Sequence, residues 1–137
     1  MEAKKISLQN INEFSLQEIF EKVSNHLISQ NKKSQFNIME MNKRPKITSG
    51  NDCYYRIENL KCAAGCLISD EEYKVEFEKN IFDDLCRKFF PNTRTEIILF
   101  VRDLQIIHDK NPVGWWKDEL IYLGNKNGLN CEFISRL

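Results

Sequence analysis

The stretch "TEIILFVRDLQIIHD", residues 95 to 109, decides the fold class of this chain. Ile97, Val101, Leu104 and His108 recur at steps of four, three and four, which places them on one stripe of an α-helix. Neither Pro nor Gly interrupts the run. Its apolar face is broad, so the sequence predicts a helix at the centre of the core. Its most apolar piece, "IILFV" (residues 97 to 101), falls far short of the ~18 apolar residues that a membrane span needs.

Helical periodicity continues on both sides. Upstream, Ser15 and Glu18 form a capping box, Phe14 is placed to staple onto Ile19, and Leu16, Ile19, Phe20, Val23, Leu27 and Ile28 follow at helical spacing. These signals predict a helix over residues 16–30. Ile81, Phe82, Leu85 and Phe89 predict another, stopped by Pro91. Downstream, "WWKDELIYLGNKNGL" (residues 115 to 129) places Trp116, Leu120 and Leu123 on one face, and Gly128 suits a left-handed cap. Ser69 and Glu72 make a second capping box, with Asp70 and Glu71 suited to a helix start. "EYKVEFEKN" reads as strand or helix. "CYYRI" (residues 53 to 57) suits a short extended piece, and Gly65 permits close backbone approach. The tail from residue 129 is expected to pack as a short extended segment. The expectation is a mainly α fold: a compact single domain over 1–137, with about four helices and a small irregular or β-hairpin insert. Residues 1–14 form a lead-in and residues 31–51 a long polar loop. Connections of that length are commonly functional.

Composition narrows the function. The chain of 137 residues carries 20 Lys and Arg against 20 Asp and Glu. This balance argues against a nucleic-acid partner held by counterion release. The N-terminus lacks the apolar core of a secretory signal, and five cysteines, an odd number, fit reduced thiols in a cytoplasm. The host cell is the other expected location, if the chain is exported by a route that uses no N-terminal signal. No membrane partner and no cofactor are expected.

Three cysteines crowd one segment, and three readings compete for them. Cys53, Cys62 and Cys66 offer part of a zinc set, with a fourth ligand to come from Cys86, Cys131, His26 or His108. Alternatively, Cys62 is a nucleophile served by His108 and a carboxylate such as Asp109 or Asp103. In the third reading the thiols are small core residues, set as they are among Ala, Gly, Leu and Ile. The adjacent Trp115 and Trp116 point about 100° apart on a helix and cannot share one buried face. Tyr54 and Tyr55 alternate if the segment is extended, one inward and one outward.

The segment from Cys53 to Tyr73 also resembles a pattern of small uncharacterised proteins from bacteria and their phages. The pattern reads C-x-Y-R, then L-K-C-A-x-G-x-L-I-x-D-E-x-Y. Here it is carried by Cys53, Tyr55, Arg56, Leu60, Lys61, Cys62, Ala63, Gly65, Leu67, Ile68, Asp70, Glu71 and Tyr73. Ser69 stands where proline is common in the pattern. The resemblance spans roughly residues 15 to 130 and implies no established activity. In its Asn-, Ile- and Lys-rich usage and its size the chain also resembles proteins of intracellular pathogens such as Legionella. That genus has a small inhibitor of ubiquitin-directed deamidase and transglutaminase effectors, and the resemblance implies an effector-directed inhibitor.

Taken together, the sequence points to a protein-binding module that inhibits or regulates a larger enzyme, with a homodimer left open. The expected binding residues are Tyr54, Tyr55, Arg56, Trp115 and Trp116, beside the 35–50 loop. The alternatives are a cysteine-dependent hydrolase using Cys62, His108 and Asp109, and a zinc-stabilised module using Cys53, Cys62 and Cys66.

Overall fold

A computed structural model of the protein describes residues 5–35 and 53–137. The expected polar loop, and the part of the expected binding surface within it, lie almost wholly outside these residues. The described chain is mainly α: four α-helices, short 3-10 turns and one two-stranded antiparallel hairpin. Helix α1 is Leu16–Gln30, α2 is Phe82–Phe89, α3 is Thr95–Lys110 and α4 is Trp116–Lys126.

Helix α1 starts where its capping box dictates. The Glu18 amide donates to Ser15 Oγ at 3.1 Å, and the Ser15 amide donates to Glu18 Oε1 at 3.0 Å. It ends at Asn31, whose φ of 53° is left-handed and whose amide closes back on the Leu27 carbonyl. The buried face is Ile19, Phe20, Val23, Ser24 and Leu27. Helix α3 is the central element, packed against α1, α2 and α4. It buries Ile97, Phe100, Val101, Leu104, Ile107 and His108.

Helix α4 ends in a Schellman motif. Leu129 N–H bonds the Gly124 carbonyl and Gly128 N–H bonds the Asn125 carbonyl, with Gly128 at φ 71°. The tail then returns to α1 as a 3-10 turn over Glu132–Arg136, not as an extended piece. The turn buries Ile134 and sets Phe133 edge-on to Phe20 at 5.6 Å. Gly124 makes this possible, since a Cβ there would lie 2.3 Å from Cys131 Sγ and 2.7 Å from the Phe20 ring.

The segment after Gly65 departs from expectation. The Ser69–Glu72 capping box forms, but no α-helix follows it. The backbone turns extended at Lys74 (φ −135°, ψ 144°), and the Glu72 carboxylate serves a second contact. Besides the Ser69 amide at 2.9 Å it accepts the amides of Leu8 at 3.1 Å and Gln9 at 2.7 Å. The box is therefore a clasp on the N-terminal segment, whose Leu8 and Ile11 are buried. The ambiguous "VEFEK" becomes a 3-10 turn over Val75–Lys79 that buries Phe77 and Glu78, and α2 begins only afterwards.

The hairpin pairs β1 (Arg56–Ile57) with β2 (Leu60–Lys61), Arg56 opposite Lys61 and Ile57 opposite Leu60. Helix α1 holds it by side chains. Gln30 brackets Lys61, accepting its amide at 2.9 Å and donating to its carbonyl at 2.8 Å, and His26 Nε2 reaches the same carbonyl at 2.9 Å. Gly65 then runs against the hairpin so closely that a Cβ would sit 2.0 Å from the Tyr55 carbonyl oxygen. Only glycine fits there.

Candidate functional site

The hairpin entry and the seam between α2 and α3 enclose a cavity of about 280 Å³. Its walls, among the described residues, come from four elements. Cys53, Tyr54, Tyr55 and Cys62 belong to the hairpin region and Glu78 to the 3-10 turn. Ile81, Phe82 and Asp83 stand at the start of α2, and Arg102, Gln105, Ile106 and Asp109 along α3. On α3 the members 102, 105, 106 and 109 are three or four residues apart, so one helix face presents them together.

Behind this wall lies a buried polar knot. His108 is fully buried, stacked on Trp116 with ring centroids 5.4 Å apart. The Ser34 amide donates to His108 Nε2 at 2.9 Å. A backbone amide is always a donor, so Nε2 must carry the lone pair and Nδ1 the proton. Nδ1 in turn donates to Asp109 Oδ1 at 2.7 Å, and Gln105 Nε2 donates to the same oxygen at 2.8 Å. Ser34 is itself fully buried and also accepts the Tyr54 amide on its carbonyl at 2.8 Å. Cys53 pairs with Gln35 across an isolated antiparallel bridge, and its Sγ accepts from Gln35 Nε2 at 3.3 Å.

This knot corrects the cysteine readings. The thiol beside His108 and Asp109 is Cys53, not Cys62. Ligand atoms of Cys53, His108 and Asp109 lie within 4.8 Å of one another, the one such group of three among the described residues. Cys53, Cys62 and Cys66 do not gather into a zinc set. Cys62 faces the α2–α3 cavity and takes the Gly65 amide on its sulfur at 3.3 Å. Cys66 lies on a different surface hollow and donates to the Ala63 carbonyl at 3.1 Å.

Nor does the new trio offer metal or nucleophile chemistry. A metal on Nδ1 would force the imidazole proton onto Nε2, against the Ser34 N–H. A metal or a thiol on Nε2 would strip that amide of its partner at a buried site, at a cost of about 1–3 kcal/mol. The thiols match this picture. Burial, reinforced by the Asp109 charge, pushes Cys53 up to about 12, and burial drives Cys62 well above the ordinary thiol range. Burial also raises Cys66 and Cys86 to about 12. At neutral pH these are thiols, not the thiolates that nucleophilic catalysis requires.

The expected binding residues separate into three groups. Tyr54 and Tyr55 are both buried, which corrects the expectation that one faces solvent. The regular strand starts only at Arg56. Before it, the Tyr54 amide turns to Ser34, and the Tyr55 amide and hydroxyl go to Glu78 Oε1 at 2.8 Å and the Asn80 carbonyl at 2.7 Å. Arg56 is spent inside the molecule. It bonds Asp70 Oδ1 at 2.7 Å and the Ile68 carbonyl at 2.6 Å, and lies over the Tyr73 ring at 5.0 Å. The tryptophans divide as their 100° separation requires: Trp116 is in the core, and Trp115 is 60% exposed. Tyr122, seven residues on and on the same face, is 68% exposed.

Glu78 is the polar residue that sequence reading missed. It is buried and accepts the amides of Tyr55 and Arg56, at 2.8 and 3.1 Å, and the Tyr73 hydroxyl at 2.5 Å. Burial raises its carboxyl above the ordinary range, opposed by these donors. Asp83 contrasts with it. Among the described residues no hydrogen bond reaches the Asp83 carboxylate. Its Oδ1 is buried without a partner, and its Oδ2 has the Arg102 guanidinium at 3.6 Å. Ile81 and Ile106 frame the cavity mouth, 53% and 48% exposed. None of the described helices is long and apolar enough to cross a membrane.

No family model, curated protein or solved structure matches the chain.

Proposed function

We propose that this protein is a non-catalytic binding module that inhibits or regulates a larger enzyme, and that it engages that enzyme at the α2–α3 seam. The observation that carries the reading is the cavity mouth: two exposed isoleucines, Ile81 and Ile106, flank an opening of about 280 Å³. Apolar residues exposed around a concavity mark sites of association. The interior chemistry supports binding over turnover, because both His108 nitrogens are engaged and Cys53 and Cys62 are held as thiols. Trp115, in the 3-10 turn before α4, and Tyr122 on α4 supply a second apolar contact surface, since exposed aromatics are enriched in binding hot spots. The resemblance to the inhibitor of ubiquitin-directed effectors makes a ubiquitin deamidase the first enzyme to assay for inhibition.

The test uses a partner identified by affinity capture and then purified. Ile106→Asn places a neutral polar group on the rim without touching the core. It should weaken binding at least tenfold, as expected when a hot-spot residue worth roughly 2 kcal/mol is lost, with an unchanged circular dichroism melt. Wild-type affinity in Ile106→Asn would move the interface away from the seam. If Trp115→Ala then lost binding, α4 would take its place.

A further inference from the structure

We propose that the α2–α3 cavity receives a basic side chain, an arginine or lysine projecting from the partner, with Asp83 as its counter-charge. This inference rests on the docking reading above and names what the seam recognises.

Three carboxylates line the cavity, from Glu78, Asp83 and Asp109, against one cation, Arg102. They are not equivalent. Glu78 is filled by two amides and a phenol, and Asp109 Oδ1 by His108 and Gln105. Asp83 alone of the three receives no hydrogen bond among the described residues. The Arg102 guanidinium stands at 3.6 Å from it, beyond hydrogen-bond reach, and Arg102 is itself about half exposed at 49%. The protein's own arginine thus marks the place where a cation rests, without satisfying the carboxylate it faces.

The mouth matches the rest of such a side chain. Arginine and lysine carry an apolar stem ending in a charge, and the stem covers apolar surface while the head seeks a counter-ion. Ile81 and Ile106 supply the apolar surface, and Asp83 supplies the counter-ion. A carboxylate or phosphate ligand would meet three carboxylates. A purely apolar ligand would shut Asp83 away from water without a donor, which is costly. Charge complementarity therefore favours a basic partner group.

The experiment is an amide NMR titration of the full chain with n-butylguanidinium and n-butylammonium chloride at fixed ionic strength, with pentanoate as the anionic control. The cations should give saturable shifts at Tyr55, Asp83 and the Gln105 side chain, and pentanoate should give none. Asp83→Asn should weaken cation binding about tenfold, the scale of one charge-assisted hydrogen bond. Arg102→Gln should tighten it severalfold by removing the internal competitor, a gain that a merely structural Arg102–Asp83 pair would not produce. If Asp83→Asn does not fold, Arg102→Gln still decides.

Absence of saturable shifts in both wild type and Arg102→Gln overturns the proposal. So do equal shifts with pentanoate. Partner binding separates the two readings. Loss in Ile106→Asn with none in Asp83→Asn, and no competition by butylguanidinium, leaves the docking seam standing and removes the basic side chain. Retention in Ile106→Asn removes the seam, and the titration then judges the cation site by itself.

Discussion

Replacing His108 by alanine tests whether the ring is architecture or chemistry. The loss has separable parts. The Ser34 amide would lose its acceptor at a fully buried residue, which costs about 1–3 kcal/mol. The stack on Trp116, at 5.4 Å between centroids, contributes about 0.5–1.5 kcal/mol beyond area burial. The cavity left by the ring adds to both, and a total of about 3–5 kcal/mol matches large-to-alanine changes in cores. For a chain of this size each kcal/mol shifts the melting midpoint by about 3–4 °C, so His108→Ala should melt roughly 10–20 °C lower. His108→Gln keeps an acceptor for the Ser34 amide and should recover about 1–3 kcal/mol of the deficit. Urea and thermal unfolding followed by circular dichroism measure both variants. An unchanged midpoint in His108→Ala, together with loss of a hydrolytic turnover that wild type possesses, would refute the reasoning and return His108 to catalysis.

Three further outcomes follow from the same contacts. Gly65→Ala places a Cβ 2.0 Å from the Tyr55 carbonyl oxygen, a backbone atom, so it should destabilise by about 3 kcal/mol or more and disturb Tyr55 amide shifts; near-native stability would mean that the hairpin yields there. Burial lowers the folded-state pKa of His26 below 6.5, so the unfolded chain binds more protons. Its contribution is complete above pH 6.5 and is lost as pH falls through the folded pKa, so the midpoint should drop between pH 7.5 and 5.5, and His26→Gln should flatten that slope. In a thiol-reagent titration of the native chain at pH 7.5, half-exposed Cys131 should react first and Cys62 only on unfolding; rapid labelling of Cys62 or Cys53 would contradict their raised thiols.

The helices were legible because their signals are local. The α1 capping box, the α3 stripe from Ile97 to His108 and the Gly128 cap each operate within a few residues, where sequence spacing and spatial contact coincide. The same logic failed at Ser69 and Glu72. There the local motif formed, but the chain turned extended at Lys74, and the Glu72 carboxylate also clasped a segment 63 or 64 residues away, a contact that no local spacing encodes. The site was legible only in fragments. His108 and Asp109 were visible as a pair, but their thiol neighbour depended on Ser34 and Gln35 meeting Cys53 and Tyr54, a crossing that no periodicity encodes. Glu78 sat in an ambiguous run, and a carboxylate among glutamates and lysines reads as solvated surface. Its Tyr73 partner, five residues earlier, was the nearest available hint.

That crossing has a consequence for how the protein tolerates change. Gln35 and Cys53 are bridged, and the Ser34 carbonyl holds the Tyr54 amide, so two segments distant in sequence are fastened at one gate. The entropy of closing such a gate depends only logarithmically on the number of residues between its posts, about 0.6 kcal/mol for each doubling of length. Sensitivity to substitution should therefore concentrate in the posts themselves: a change at Ser34 or Tyr54 that displaces the backbone loosens a backbone-to-backbone tie that also seats the Ser34 amide on His108.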